Sequence, residues 1–196
     1  MRAQALFIQG AGQGAHAEDE LLVANLRQLL GPEYAIRYPE MPSDETTDDE
    51  TWPTRIASEL ATMADPVLLL GHSVGASMLL KYLSEGAPEK TIAGIFLIAA
   101  PFWGGDGWRY EGYTRLALPE GLADRLPPGA PVFLYHSRDD EVVPFAHLGL
   151  YARHLPGATV RALDGRGHQL QNDLSEVAED IRALRRAGRP AAEAPA

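Results

Sequence analysis

The stretch Val67-Leu-Leu-Leu-Gly-His-Ser-Val-Gly-Ala-Ser-Met-Leu-Leu80 decides how the chain folds. Its first four residues, Val67 to Leu70, read as a buried strand, and Ala76 to Leu83, without Pro or Gly, read as a helix. Between them Gly71-His72-Ser73-Val74-Gly75 must reverse the chain sharply. A serine on so tight a turn sits in strained backbone, and the residues two places to either side must lack a Cβ for strand and helix to pass each other; Gly71 and Gly75 meet that demand. The turn also brings Ser73 to a helix N-terminus, where unpaired N–H groups can stabilise developing negative charge. With 19 Gly in the chain, a chance Gly-x-Ser-x-Gly is expected at roughly the ten per cent level, so the strand before it and the helix after it give the motif its meaning.

Working outward, Ala5 to Ile8 is a strand entering the glycine-rich loop Gly10-Ala-Gly-Gln-Gly-Ala15, and Leu22, Leu26, Leu29 and Leu30 mark one face of a helix over residues 18–30. Tyr34 to Tyr38 is a short strand closed by Pro39. A helix beginning near Pro53 buries Ile56, Leu60 and Met63. After the central turn come strands over residues 92–100, 131–136 and 159–163, with a helix ending at His154 between the last two. The closing helix, Asp173 to Arg186, carries Leu174, Val177, Ile181 and Leu184 as its apolar stripe, with Asp173 and Glu176 spaced for a capping box. Six strands alternating with helices predict an α/β fold: a mostly parallel sheet in three layers, helices on both faces, as a single domain over residues 1–186. Residues 187–196 are Ala/Pro-rich and expected to be a frayed tail. Residues 102–126 begin Phe-Trp-Gly-Gly-Asp-Gly-Trp and include Tyr110 and Tyr113; they form either a small lid over a cleft or a surface excursion whose aromatics pack down.

Composition narrows the function. A chain of 196 residues, 45% hydrophobic, supports one substantial core. It has no cysteine, which excludes disulfides, thiolate metal sites and a cysteine nucleophile, fits a reducing compartment and makes the cytoplasm the expected location. Met1 to Gln9 reads as a first strand rather than a signal peptide, and no apolar run reaches membrane-spanning length. A formal charge of −10 argues against nucleic-acid binding. Arg182, Arg185, Arg186 and Arg189 instead complement the C-terminal end of the last helix. The acidic run from Glu40 to Glu50 matches no calcium-loop spacing and reads as a solvated loop rather than a metal site; for the chemistry expected below, neither metal nor organic cofactor is needed.

In a parallel sheet the functional groups gather beyond the carboxyl ends of the strands. Ser73 follows the third strand, Asp139-Asp140 the fifth and His168 the sixth. This order of nucleophile, acid and base defines a candidate triad, in which His168 takes the Ser73 proton and a carboxylate holds the imidazole in the required tautomer. Neighbours after a strand point in opposite directions, so one aspartate at most faces His168. The carboxylate is expected to push the His168 pKa upward from about 6.5. His72 reads as a packed elbow residue and His136 as buried in its strand; His147 and His154 read as surface or packing residues, and His16 borders the loop after the first strand.

These motifs resemble the α/β-hydrolase superfamily over roughly residues 3–186. The short first strand, Tyr38-Pro-Glu-Met-Pro42 with Trp52, Gly-His-Ser-Val-Gly, Asp140-Glu-Val-Val-Pro144 and Gly167-His168 followed by Gln171-Asn172 look most like the small serine hydrolases of the retinoblastoma-binding-protein-nine and YdeN type, which lack a large cap domain. The resemblance implies Ser73, Asp140 and His168 as the catalytic set. It implies an oxyanion hole from the N–H groups of Ala11 and Val74, with Gly12 the alternative because Gln9-Gly10 replaces the common His-Gly. Gly12, His72, Trp103 and Trp108 are the expected substrate contacts. The implied activity is hydrolysis of a small ester, thioester or amide through an acyl-enzyme. Two other readings compete. Fold alone does not fix function, so a protein-interaction module on a hydrolase fold is one. Gly10-x-Gly12-x-x-Ala15 with Glu40 loosely fits a dinucleotide fingerprint, making an oxidoreductase the other.

Overall fold

Along each central strand, alternate side chains enter opposite cores, because successive Cβ atoms leave opposite faces of the pleat. Leu6, Ile8, Leu69, Ile95, Leu97 and Leu134 face one core, while Ala5, Phe7, Leu68, Leu70, Phe96 and Phe133 face the other. A sheet apolar on both sides needs helices on both sides, and the computed structural model has that arrangement. It describes residues 2–42, 50–86, 88–105, 107–109 and 116–187. The elements in order are β1 (Ala3–Ile8), α1 (Ala15–Leu30), β2 (Tyr34–Arg37), α2 (Thr51–Ala61), β3 (Val67–His72), α3 (Val74–Glu85), β4 (Ile92–Ile98), α4 (Leu122–Arg125), β5 (Val132–Ser137), α5 (Ala146–His154), β6 (Thr159–Leu163) and α6 (Ser175–Ala187). The strand order is β2-β1-β3-β4-β5-β6, and every pairing is parallel.

Helices α1 and α6 bring Leu22, Leu26, Val177 and Ile181 to one face, and α2, α3 and α5 bring Ile56, Leu79 and Leu148 to the other. The strand order reverses between β1 and β3. At such a switch point the loops beyond the two strands diverge and leave a crevice at the carboxyl rim. The loop after β1 and the turn after β3 are the two that border it.

The capping box does not form. Asp173 Oδ1 accepts the N–H and the hydroxyl of Ser175 at 3.0 and 2.6 Å, while the Glu176 carboxylate is drawn away to Arg166 at 3.0 Å. Trp103 is buried in the core that α2, α3 and α5 cover, Trp108 meets its ring edge-on at 5.1 Å, and Leu116 and Leu122 join the same core. Tyr110 and Tyr113 lie outside the described residues, as do most of the acidic run and residues 188–196. Among the described residues, no helix is long and apolar enough to cross a membrane.

Candidate active site

The turn after β3 is tighter than strand and helix geometry alone would allow. Ser73 sits at φ 51°, ψ −127°, in a region that L-residues avoid, and its N–H donates to the Ile98 carbonyl at 2.8 Å. A Cβ on Gly71 would lie 2.6 Å from Ala76 Cα, and one on Gly75 would lie 2.1 Å from the Gln9 carbonyl oxygen. Both glycines are therefore required by backbone contact. The second also shows how closely the end of β1 abuts α3. Gly10 continues that contact, since a Cβ there would lie 3.3 Å from Ser73 Cβ. The N–H groups of Ala11 and Gly12 follow directly in the chain. Val74 opens α3, so its N–H belongs to the first turn, which has no intrahelical acceptor.

At the neighbouring strand ends, His168 Nδ1 lies 3.0 and 2.9 Å from the two carboxylate oxygens of Asp140. Asp140 has no exposed side-chain area. Its Oδ1 accepts the N–H groups of Val142 and Val143, and its Oδ2 lies 3.1 Å from His136 Nε2. Burial works against a charged Asp140, but the bonds from His136, His168 and Val143 outweigh it and hold the carboxyl well below the usual range. Asp139 points elsewhere. It accepts the Ser137 hydroxyl and the N–H groups of Arg166 and Gly167, and so holds the turn that carries His168. Glu141 completes that turn by accepting the His168 N–H at 3.2 Å.

The His168 pKa moves downward, contrary to the upward push expected from its carboxylate. The ring is buried, and burial together with the charge of His72 outweighs the pull of Asp140. His72 cannot serve as a polar substrate contact: it is 1% exposed, with Nδ1 on Asp19 and Nε2 on the His168 carbonyl. Trp103, 4% exposed, offers a ligand little surface; Trp108 and Gly12 are half-buried, and a Cβ on Gly12 would meet no atom within 4 Å. His136 is buried as expected but also grips Asp140. His147 is buried too and accepts the Phe102 N–H at 2.8 Å, whereas His154 is exposed and stacks on the Phe102 ring. His16 stacks on Tyr38 at 4.4 Å. Sequence reasoning missed Asp19. The available signal was a carboxylate on the apolar stripe of α1, at one helical turn from Ala15 and from Val23.

The Gly10–Ala15 loop is a poor cradle for a pyrophosphate, because its first N–H is already bound to the buried Asp19 carboxylate at 2.8 Å. Among the described residues, no group of three or more His, Asp or Glu side chains is arranged to hold a metal ion.

A parallel sheet with its serine on a strained turn after β3 and a histidine–aspartate pair beyond β5 and β6 is the α/β-hydrolase fold. More narrowly, residues 25–175 match the serine hydrolase family model, and the chain belongs to that family. No curated protein sequence matches the chain. Among solved structures it resembles the esterase domain of a Rhodothermus marinus protein, at 21% identity over 94% of this chain and 87% of that one, with a TM-score of 0.67. It also resembles the ydeN gene product of B. subtilis, at 17% identity over 94% and 99% of the two chains and a TM-score of 0.69. A meta-cleavage product hydrolase from Pseudomonas fluorescens IP01 aligns at 15% identity over 95% and 92%, with a TM-score of 0.73.

Proposed function

We propose that this serine hydrolase cleaves a small carboxylic ester, thioester or amide through an acyl-enzyme formed on Ser73. The observation that carries the reading is the bond of His168 Nδ1 to Asp140 at the same rim as the strained Ser73. With Nδ1–H held by a carboxylate, Nε2 keeps its lone pair and is the atom to take the Ser73 proton. The hydroxyl oxygen then attacks the carbonyl carbon. The resulting oxyanion is received by the N–H groups of Val74 and Ala11, and the proton on His168 passes to the leaving group as the acyl-enzyme forms. Water, activated by the same imidazole, releases the acid. The close approach of the Gly10 backbone, on which a Cβ would lie 3.3 Å from Ser73 Cβ, supports Ala11 as the second donor, with Gly12 next in the same loop.

Labelling with a fluorophosphonate tests the assignment. Wild-type protein is expected to be labelled and Ser73→Ala unlabelled, with the two unfolding at similar temperatures. Undiminished labelling of Ser73→Ala would place the nucleophile elsewhere. Absence of labelling in the wild type would favour an interaction module on the same fold.

A further inference from the structure

Helix α1 carries one carboxylate among the side chains that face the sheet. Asp19 shares that stripe with Ala15, Leu22, Val23 and Leu26, and it is 1% exposed. A lone carboxylate there would be strongly destabilising. Asp19 is not alone. Its Oδ2 accepts the Gly10 N–H at 2.8 Å, its Oδ1 accepts Gln169 Nε2 at 3.1 Å, and its oxygens lie 2.9 and 3.0 Å from His72 Nδ1. The three donors come from three separate segments: the loop after β1 that abuts Ser73, the last residue of β3 where the elbow begins, and the turn after β6 that carries His168.

The protons on His72 follow from its partners. Nδ1 faces the Asp19 carboxylate, and Nε2 faces the His168 carbonyl oxygen at 3.1 Å. Both are acceptors. A neutral imidazole has one N–H and one lone pair, so it would set a lone pair against one of them; two donors mean the imidazolium. The further bonds that Asp19 accepts from Gly10 and Gln169 favour its ionised form, which balances that charge.

We propose that Asp19 and His72 form a buried ion pair that holds the oxyanion loop, the elbow and the histidine turn in register and keeps His168 in its proton-accepting form. This rests on the reading of His168 as the base and assigns both residues positioning roles. The His168 ring lies 4.8 Å from that of His72, so a proton on His168 would bring two positive charges together. The charged and titratable groups around the two rings are Asp19 from α1, Asp140 and Glu141 from the loop after β5, His136 behind Asp140, and Tyr38 beside Asp19. Burial opposes charge on His72, but the charge and hydrogen bond of Asp19 prevail and raise its pKa. For His168 burial leads, His72 adds to it, and the pKa falls despite Asp140.

Nitrogen NMR of ring-labelled histidines in the wild-type protein reads the pair directly, and the pH dependence of kcat/KM reads its effect. Both His72 nitrogens are expected to be protonated at about pH 7. His72→Gln removes the positive charge and leaves Asp19 ionised, so the acid limb should rise by roughly 1 pH unit. Asp19→Asn lets His72 become neutral and removes both charges, so the limb should rise less. A purely structural role would lower kcat without moving the limb. A neutral His72 in the wild type, or a folded His72→Gln whose acid limb coincides with the wild-type limb, overturns the proposal. If His72→Gln does not fold, the wild-type spectrum and the Asp19→Asn profile decide. If the wild type neither hydrolyses esters nor labels, the catalytic reading has failed by itself, and the NMR titration of His168 in wild type and variants still decides the charge coupling.

Discussion

Asp139 and Asp140 are adjacent, yet one carboxylate holds a turn and the other holds a ring. Asp140→Asn preserves shape but can select the wrong imidazole tautomer of His168, so kcat is expected to fall at least roughly a hundredfold in a protein that still folds. Asp139→Asn should keep most activity, because Asp139 bonds the Ser137 hydroxyl and the segment around Arg166 and Gly167 and not the His168 ring. Reversed losses in two folded variants would make Asp139 the triad acid. The direction at His168 sets a second expectation. A base with a lowered pKa loses its proton earlier as pH rises, so the acid limb of kcat/KM should fall below about pH 6.5, the ordinary histidine value. A limb above that value in a reaction limited by chemistry would contradict the buried setting of the ring.

At the scale of elements, the elbow depends on two backbones approaching more closely than any side chain permits. Gly75→Ala would drive a methyl to 2.1 Å from the Gln9 carbonyl, a backbone atom at the end of β1 that cannot swing aside. The expected cost is about 3 kcal/mol or more, read from the urea midpoint, with loss of activity as β1 and α3 separate. A stability close to wild type would mean that the β1–α3 contact yields easily. The turn after β6 has its own demand: Leu170, Gln171 and Asn172 follow His168 with φ of 45, 52 and 55°. Such a left-handed run is unfavourable for non-glycine residues. It is held by the burial of Leu170 and by Gln171 Nε2 donating to the Gly165 carbonyl at 2.6 Å. The arginines of α6 also act beyond its dipole. Arg182 donates to the Leu29 carbonyl and Arg185 pairs with Glu33, tying the last helix to α1 and to the turn before β2.

Across the whole molecule, the site's carboxylates couple folding to pH. Asp140 and Asp19 both have lowered pKa values in the fold; burial opposes this, but their histidine partners and the hydrogen bonds they accept outweigh it. A carboxylate depressed in this way contributes stability that is present above its unfolded value of about 3.9 and lost as pH falls toward the folded value. Unfolding free energy should therefore decline below about pH 4, and Asp140→Asn should lessen that decline. An unaltered acid limb of stability in that variant would remove Asp140 from the linkage. The order of strands and helices, the elbow and the candidate residues Ser73, Asp140 and His168 are legible in the sequence because they rest on local causes: apolar periodicity, glycines flanking a serine, and Pro144 four places after Asp140. The hydrogen bond between His168 and Asp140 joins loops 28 residues apart, and only the pairing of β5 with β6 brings their ends together. Asp19 was hidden for the same reason: its partners Gly10, His72 and Gln169 come from two loops and a strand end that meet only when the sheet is assembled. The direction of the His168 pKa also waited on the tertiary structure. A sequence shows a histidine and its carboxylate, whereas burial and a neighbouring imidazolium belong to the packed state, and together they outweigh that carboxylate.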